Sequence, residues 1–179
     1  MTALDRHDEA QTLRWTEFTR GFREEPLRGL LRRLPDFADV AKEQEAMAQA
    51  EAYPDPHRAL EFLVHWPDIQ RAARLIENRQ AALDGNCYSI LAPAAEKLEA
   101  KAPLAATLLF RKMIEFTLDQ GRSSRYGHAA RHLHSCAWLA QQIGDWQGHA
   151  SHSDYVAALR RLHRRKSGFW GRLAESDSL

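Results

Sequence analysis

The stretch Pro103-Leu104-Ala105-Ala106-Thr107-Leu108-Leu109-Phe110-Arg111-Lys112-Met113-Ile114-Glu115-Phe116-Thr117-Leu118-Asp119-Gln120-Gly121 decides the fold. Its polar residues Thr107, Arg111, Lys112, Glu115 and Asp119 form one narrow stripe, and apolar residues fill the rest of the circumference. A helix that is apolar over most of its surface is buried on several sides. The spacing therefore predicts a central helix over 103–121.

Toward the C-terminus, residues 124–142 carry Tyr126, Ala129, Ala130, Leu133, Cys136, Ala137 and Ala140 on one amphipathic stripe. A loop follows over 144–148. Ser151 to Ser153 offer caps for a last helix bearing Tyr155, Val156, Leu159 and Leu162. Residues 174–179 read as a frayed tail. Toward the N-terminus, Pro93 sits in the first turn of a helix over 92–101, or kinks a longer one starting near Cys87. Asp68 starts a helix that closes at Asp84-Gly85-Asn86, and another runs from the turn Tyr53-Pro54-Asp55-Pro56 to Trp66-Pro67. Asp36 is placed to cap a helix from Phe37 to Ala52, Pro26 to open one ending at Pro35, and residues 5–22 to form the first.

No hairpin signal interrupts this series. The expectation is an all-α protein of eight or nine helices over a single domain, 1–173. Its short connections imply antiparallel helix pairs, stacked as a solenoid or gathered in an irregular bundle.

The chain has 179 residues, with 25 Lys plus Arg against 24 Asp plus Glu. That balance argues against a disordered charged tail and against a globally basic nucleic-acid binder. The longest apolar run, Leu104 to Phe110, is far below the ~20 residues that span a bilayer, so no membrane is expected. The start lacks a basic-then-apolar leader, and two widely spaced cysteines suggest no disulfide framework. The expected setting is soluble and cytoplasmic.

Several blocks read together carry a family likeness. They are Leu34-Pro35-Asp36-Phe37, Phe62-Leu63-Val64-His65-Trp66-Pro67, residues 94–101 (AAEKLEAK), 103–109 (PLAATLL), 123–133 (SSRYGHAARHL) and 164–170 (RRKSGFW). The chain resembles the C-terminal part of an uncharacterised bacterial helical family of unknown function, over its length up to Trp170. Longer members with more helical sequence upstream imply a fragment or a short start. The resemblance implies a fold and no mechanism. The last two blocks also resemble the helical C-terminal region of bacterial proteins with a SWIM zinc finger, but the finger's Cys and His ligands are absent. Leu4-Asp5-Arg6-His7-Asp8-Glu9-Ala10 resembles the turn and second-helix start of a tetratricopeptide hairpin. That likeness favours the solenoid and implies a first helix without its partner, a route to homo-oligomers.

Among candidates for chemistry, His128, His132 and Cys136 recur every fourth residue on one helix, where imidazoles and a thiolate could meet a zinc ion. Against this, Cys136 falls on the apolar stripe, where a buried thiol is commonplace, so no metal and no cofactor is expected. The cluster His149, His152, Asp145 and Asp154 is explained by capping and turn chemistry. No phosphate loop, dinucleotide fingerprint or nucleophile elbow is present.

Charge is distributed unevenly. Residues 1–120 hold 16 Lys/Arg and 20 Asp/Glu, whereas residues 121–173 hold 9 and 2. The expected function is a non-enzymatic scaffold that binds a protein or peptide partner. Its candidate contacts are Arg111, Arg122, Arg125, Arg131, Arg160, Arg164, Arg165, Lys166 and Trp170, with His128 and His132 also reachable near the central helices. The alternative is an accessory nucleic-acid binder using the basic 121–173 region, where arginines meet phosphates and aromatics stack on bases. Pairing of these cations with the acidic part of the chain would remove that alternative. A metal-dependent helical enzyme is the third reading.

Overall fold

A computed structural model describes residues 3–176, with side chains over 8–174. All regular structure among the described residues is helical, in ten α-helices and two short 3-10 turns, with no strand. The all-α expectation holds, and the count exceeds the eight or nine helices expected. The chain, read above as one domain over 1–173, divides into two compact units, Met1–Leu75 and Ile76–Leu179.

The first unit contains α1 (Ala3–Gly21), α2 (Glu24–Leu31), α3 (Ala38–Glu51), α4 (Pro56–His65) and the first part of α5 (Ile69–Arg79). From α1 to α4 successive helices pack on one another, and α1 also touches α3. Its core is a triangle of rings, with Phe18 5.0 Å from Phe22 and 5.3 Å from Phe62. Phe22 ends α1 in the left-handed region at φ 46°. That position usually takes glycine. Here burial of the Phe22 ring, 6% exposed, offsets the backbone strain. Asp55 caps α4 by accepting from the backbone N–H groups of His57 and Arg58, with Pro56 in the first turn.

Two expectations need correction here. Asp36 does not cap α3. The residue before α3 is Phe37, at φ 73° and without a side-chain cap bond. The first helix is also not left unpartnered, since α1 packs on α2 and α3 and buries Phe18 completely. The string Leu4–Ala10 lies inside α1 and not across a turn. Its side chains before Asp8 lie outside the described residues.

Cations cover two tryptophans of this unit. Lys42 Nζ sits 3.6 Å from the centre of the Trp15 ring, and the Arg28 guanidinium 4.6 Å from that of Trp66. Trp66 Nε1 donates to Glu43 at 2.7 Å.

The second unit continues α5 into a 3-10 turn at Gln80–Ala82. It then runs through α6 (Tyr88–Leu98), α7 (Pro103–Asp119), a 3-10 turn at Ser123–Arg125, α8 (Tyr126–Ala140), α9 (His152–His163) and α10 (Ser167–Ser176). α7 packs on both α6 and α8, and twelve of its residues are buried. This is the central helix expected from its composition. Of the two readings of Pro93, the longer helix is the one observed: α6 begins at Tyr88 and carries Pro93 inside it. The loop before α6 passes against α7 at Gly85, where a Cβ would stand 2.2 Å from the Lys112 carbonyl oxygen. Only glycine permits that approach.

α10 is the helix the sequence reading lacks. Gly168 and Gly171 lower its intrinsic propensity, and tertiary packing compensates. Phe169 is fully buried and meets Tyr126 edge-on at 6.1 Å, while α10 lies on α8. The expected frayed tail at 174–179 is thus helical through Ser176, and residues 177–179 lie outside the described residues.

Candidate functional site

In the unit Ile76–Leu179, the α7–α8 connection and the α9–α10 connection meet at one corner. His163 Nε2 at the end of α9 lies 3.3 Å from Asp119 Oδ1 at the end of α7. Lys166 Nζ stands 3.4 Å from where a Cβ on Gly121 would be, and Gly121 takes φ 60° in the turn beneath it. An Arg172 nitrogen stands 3.7 Å from the corresponding point on Gly127. The corner therefore collects Arg122, Arg125, Lys166 and Arg172, with Arg164 and Arg165 on the adjoining end of α9.

These side chains are exposed or half-buried. Arg125 donates to Asn86 Oδ1 at 3.3 Å. Arg160 covers the Trp170 ring at 4.4 Å, and Trp170 Nε1 donates to the His163 carbonyl at 3.0 Å. Among the described residues, no ion pair engages Arg122, Arg161, Arg164 or Arg165. Leu162, next to Arg161 on the last turn of α9, is 71% exposed. The aromatic residues interleaved with these cations are largely used by the core: Phe169, Tyr126 and Tyr155 are buried, and Trp170 lies under Arg160.

The three metal candidates have other partners. His128 Nδ1 accepts from Arg131 at 2.7 Å. His132 Nε2 lies 2.8 Å from the Tyr88 hydroxyl, and its ring stacks on Phe110 at 4.8 Å. Burial, and then the neighbouring His128 and Arg131, lower the His132 pKa to about 4, so at neutral pH it is uncharged and its tautomer sets the direction of the bond with Tyr88. The Cys136 thiol points at the Thr107 carbonyl, and burial pushes it up to about 12, far from a ready thiolate. Among the described residues, no three His, Cys, Asp or Glu side chains gather as a metal-binding group. His128 and His132 converge on the Tyr88 hydroxyl, at 3.3 and 2.8 Å, whereas Cys136 turns away to the Thr107 carbonyl. Tyr88, 44 positions before His132, is the partner the sequence reading missed, and no local pattern announces it.

Arg111 also differs from expectation, for it is buried at 3% exposure and not reachable. Its Nη1 donates to the Ala150 carbonyl at 2.8 Å. The guanidinium lies 4.2 Å from the Tyr155 ring centre and 4.9 Å from that of Trp146. These contacts tie the connector between α8 and α9 to the central helix. Ser151 caps α9 by accepting from the Asp154 N–H, as the turn chemistry implied. His152 begins the helix with a buried Nδ1 that has no partner. Burial raises the pKa of the nearby Glu115, and the Tyr155 hydroxyl beside it opposes the rise.

In the unit Met1–Leu75, a cleft of about 770 Å³ opens over Phe22 and Phe62. Its rim carries Arg14 and Arg58 as well as Glu17 and Glu61, so both signs of charge face it.

Compared with known families, the chain matches the model of a family of unknown function, DUF6880, over residues 1–172. No curated protein and no solved structure matches it. The likenesses to tetratricopeptide arrays and to the SWIM-associated helical region gain no support from these comparisons.

Proposed function

The chain belongs to that family of unknown function, and from this premise we propose a non-enzymatic helical interaction module that binds an acidic protein segment at its basic corner. One observation carries the proposal: Arg161, Arg164 and Arg165 are exposed, without ion pairs among the described residues, in the same short stretch as the exposed Leu162. An apolar anchor beside arginines is the composition of a protein-binding patch. Unpaired cations favour a partner of opposite charge and speed its encounter. Helix α1 packs on α2, α3 on α4, α6 on α7 and α7 on α8, which supports reading the scaffold as an array of helix pairs. No disulfide joins Cys87 and Cys136, which supports a reducing bacterial cytoplasm as the setting.

A nucleic-acid backbone is the second reading, favoured by the same unpaired guanidinium groups. At the corner it lacks the stacking platform that single strands use, because Tyr126 and Phe169 are buried and Trp170 lies under Arg160, while the exposed Trp138 stands near the opposite end of α8.

Fluorescence anisotropy separates the two readings. A labelled helical peptide of alternating Glu and Leu pairs is titrated in parallel with a labelled RNA and a DNA duplex. The proposal expects peptide binding that falls about tenfold in Arg161→Glu/Arg165→Glu and also falls in Leu162→Ala. RNA or DNA binding with a steep salt dependence, unaffected by Leu162→Ala, would move the assignment to nucleic acid. No binding to any of the three probes would overturn the basic corner as a contact face.

A further inference from the structure

Arginine carries five N–H donors, and a buried donor without an acceptor is costly. Arg111 uses Nη1 on the Ala150 carbonyl, while its Nε and Nη2 are buried without partners. Those two atoms form one edge of the guanidinium, the fork that matches the two oxygens of a carboxylate. The orphaned atoms are not scattered. Thr107 Oγ1 is buried and unpartnered one turn before Arg111 on the same face of α7. His152 Nδ1 is likewise buried and unpartnered, and it lies near enough for the Arg111 charge to lower its pKa, after burial itself. Two of these side chains share one face of α7, and the third stands two residues after Ala150, whose carbonyl binds Arg111, so unmet hydrogen-bonding atoms from α7 and the start of α9 lie in one region of the unit.

The surroundings also suit an anion. The Trp146 and Tyr155 rings flank the guanidinium and exclude water, which strengthens any charge-assisted bond formed there. Glu115, the nearby acid on α7, makes no hydrogen bond to Arg111, and burial favours its neutral form.

We infer that the Nε/Nη2 edge of Arg111, together with His152 and Thr107, is a binding site for a small carboxylate anion beneath the α8–α9 connector. In the present structure the connector covers it, since Arg111 is 3% exposed. The cover is held to Arg111 by Ala150 and Trp146, and between and beside these anchors it carries Gly144 and Gly148, which give its backbone freedom to move, so the site requires the connector to shift as the ligand enters. The inference is independent of the basic corner.

The test is a titration of ¹⁵N-labelled protein with sodium formate and sodium acetate, observed at the Arg Nε–H signals. Ionic strength and pH are held fixed, with chloride as the control. The Arg111 signal is identified by its loss in Arg111→Lys, or through backbone assignment if that variant does not fold. The site expects a saturable shift of the Arg111 signal below about 100 mM carboxylate, and at least about tenfold weaker binding in His152→Ala. No saturable shift with either carboxylate would overturn it, leaving a fork satisfied by water. Saturation by inorganic phosphate but not by formate or acetate would overturn the carboxylate class, and an equal response to chloride would overturn a defined site.

Discussion

His132 is held neutral by its surroundings. Its folded pKa of about 4 lies below the ordinary value of 6.5, so the unfolded chain takes up the proton first. Its neutral form contributes fully to stability above pH 6.5, and that contribution is lost as pH falls toward about 4. The expected outcome is that His132→Gln loses less stability than the parent on acidification over this range, by on the order of 2 kcal/mol. Urea unfolding at several pH values measures it, and parallel profiles would show that His132 does not titrate as described. At this scale the sequence was informative about which residues are polar and poor about whom they meet. His128, His132 and Cys136 share a helix face by spacing, yet Tyr88, Arg131 and the Thr107 carbonyl engage them. Arg131 is an i,i+3 neighbour that helix spacing contains, but Tyr88 and the Thr107 carbonyl come from other elements, which single-helix geometry does not contain.

At the scale of elements, α7 and α8 were legible because apolar periodicity reports burial directly. α10 was not, because its two glycines weaken the local signal while Phe169 supplies the packing that holds it. The contact between the loop before α6 and α7 was equally hidden, since a lone glycine reads as a turn wherever it falls. At Gly85 a Cβ would meet both the Lys112 carbonyl and Phe116 Cβ, the latter at 2.7 Å. Gly85→Ala is expected to cost about 2–3 kcal/mol, because backbone must shift to admit the methyl. Gly144→Ala is the control: nothing lies within 4 Å of its Cβ, so its stability should change by less than about 0.5 kcal/mol. Denaturant midpoints compare the two, and equal midpoints would contradict the close approach.

For the whole molecule, near-neutrality conceals a separation of charge, and that much was readable from counting residues. The sequence left open whether the basic residues pair internally. In the unit Ile76–Leu179, His163–Asp119 is the pair that forms at the corner, and Arg161, Arg164 and Arg165 form none among the described residues. Net charge is then a poor guide to surface behaviour. At a pH near the sequence pI of about 7.9, the chain should still be retained on a sulfonate cation exchanger. Arg161→Glu/Arg164→Glu/Arg165→Glu should elute earlier than the same number of charge reversals made at other exposed arginines of the chain. Identical elution of the two variants would show that the cations do not act as a patch.

The tryptophans carry a consequence of their own. Of the five indoles, those of Trp15, Trp66, Trp146 and Trp170 each lie beneath a lysine or arginine, whereas Trp138 is 58% exposed. The intrinsic fluorescence of the folded chain is therefore a sum of unlike emitters. Collisional quenchers such as acrylamide reach Trp138 before the shielded indoles, so an emission change on partner or anion binding can be assigned to the outer or the covered class before any variant is made.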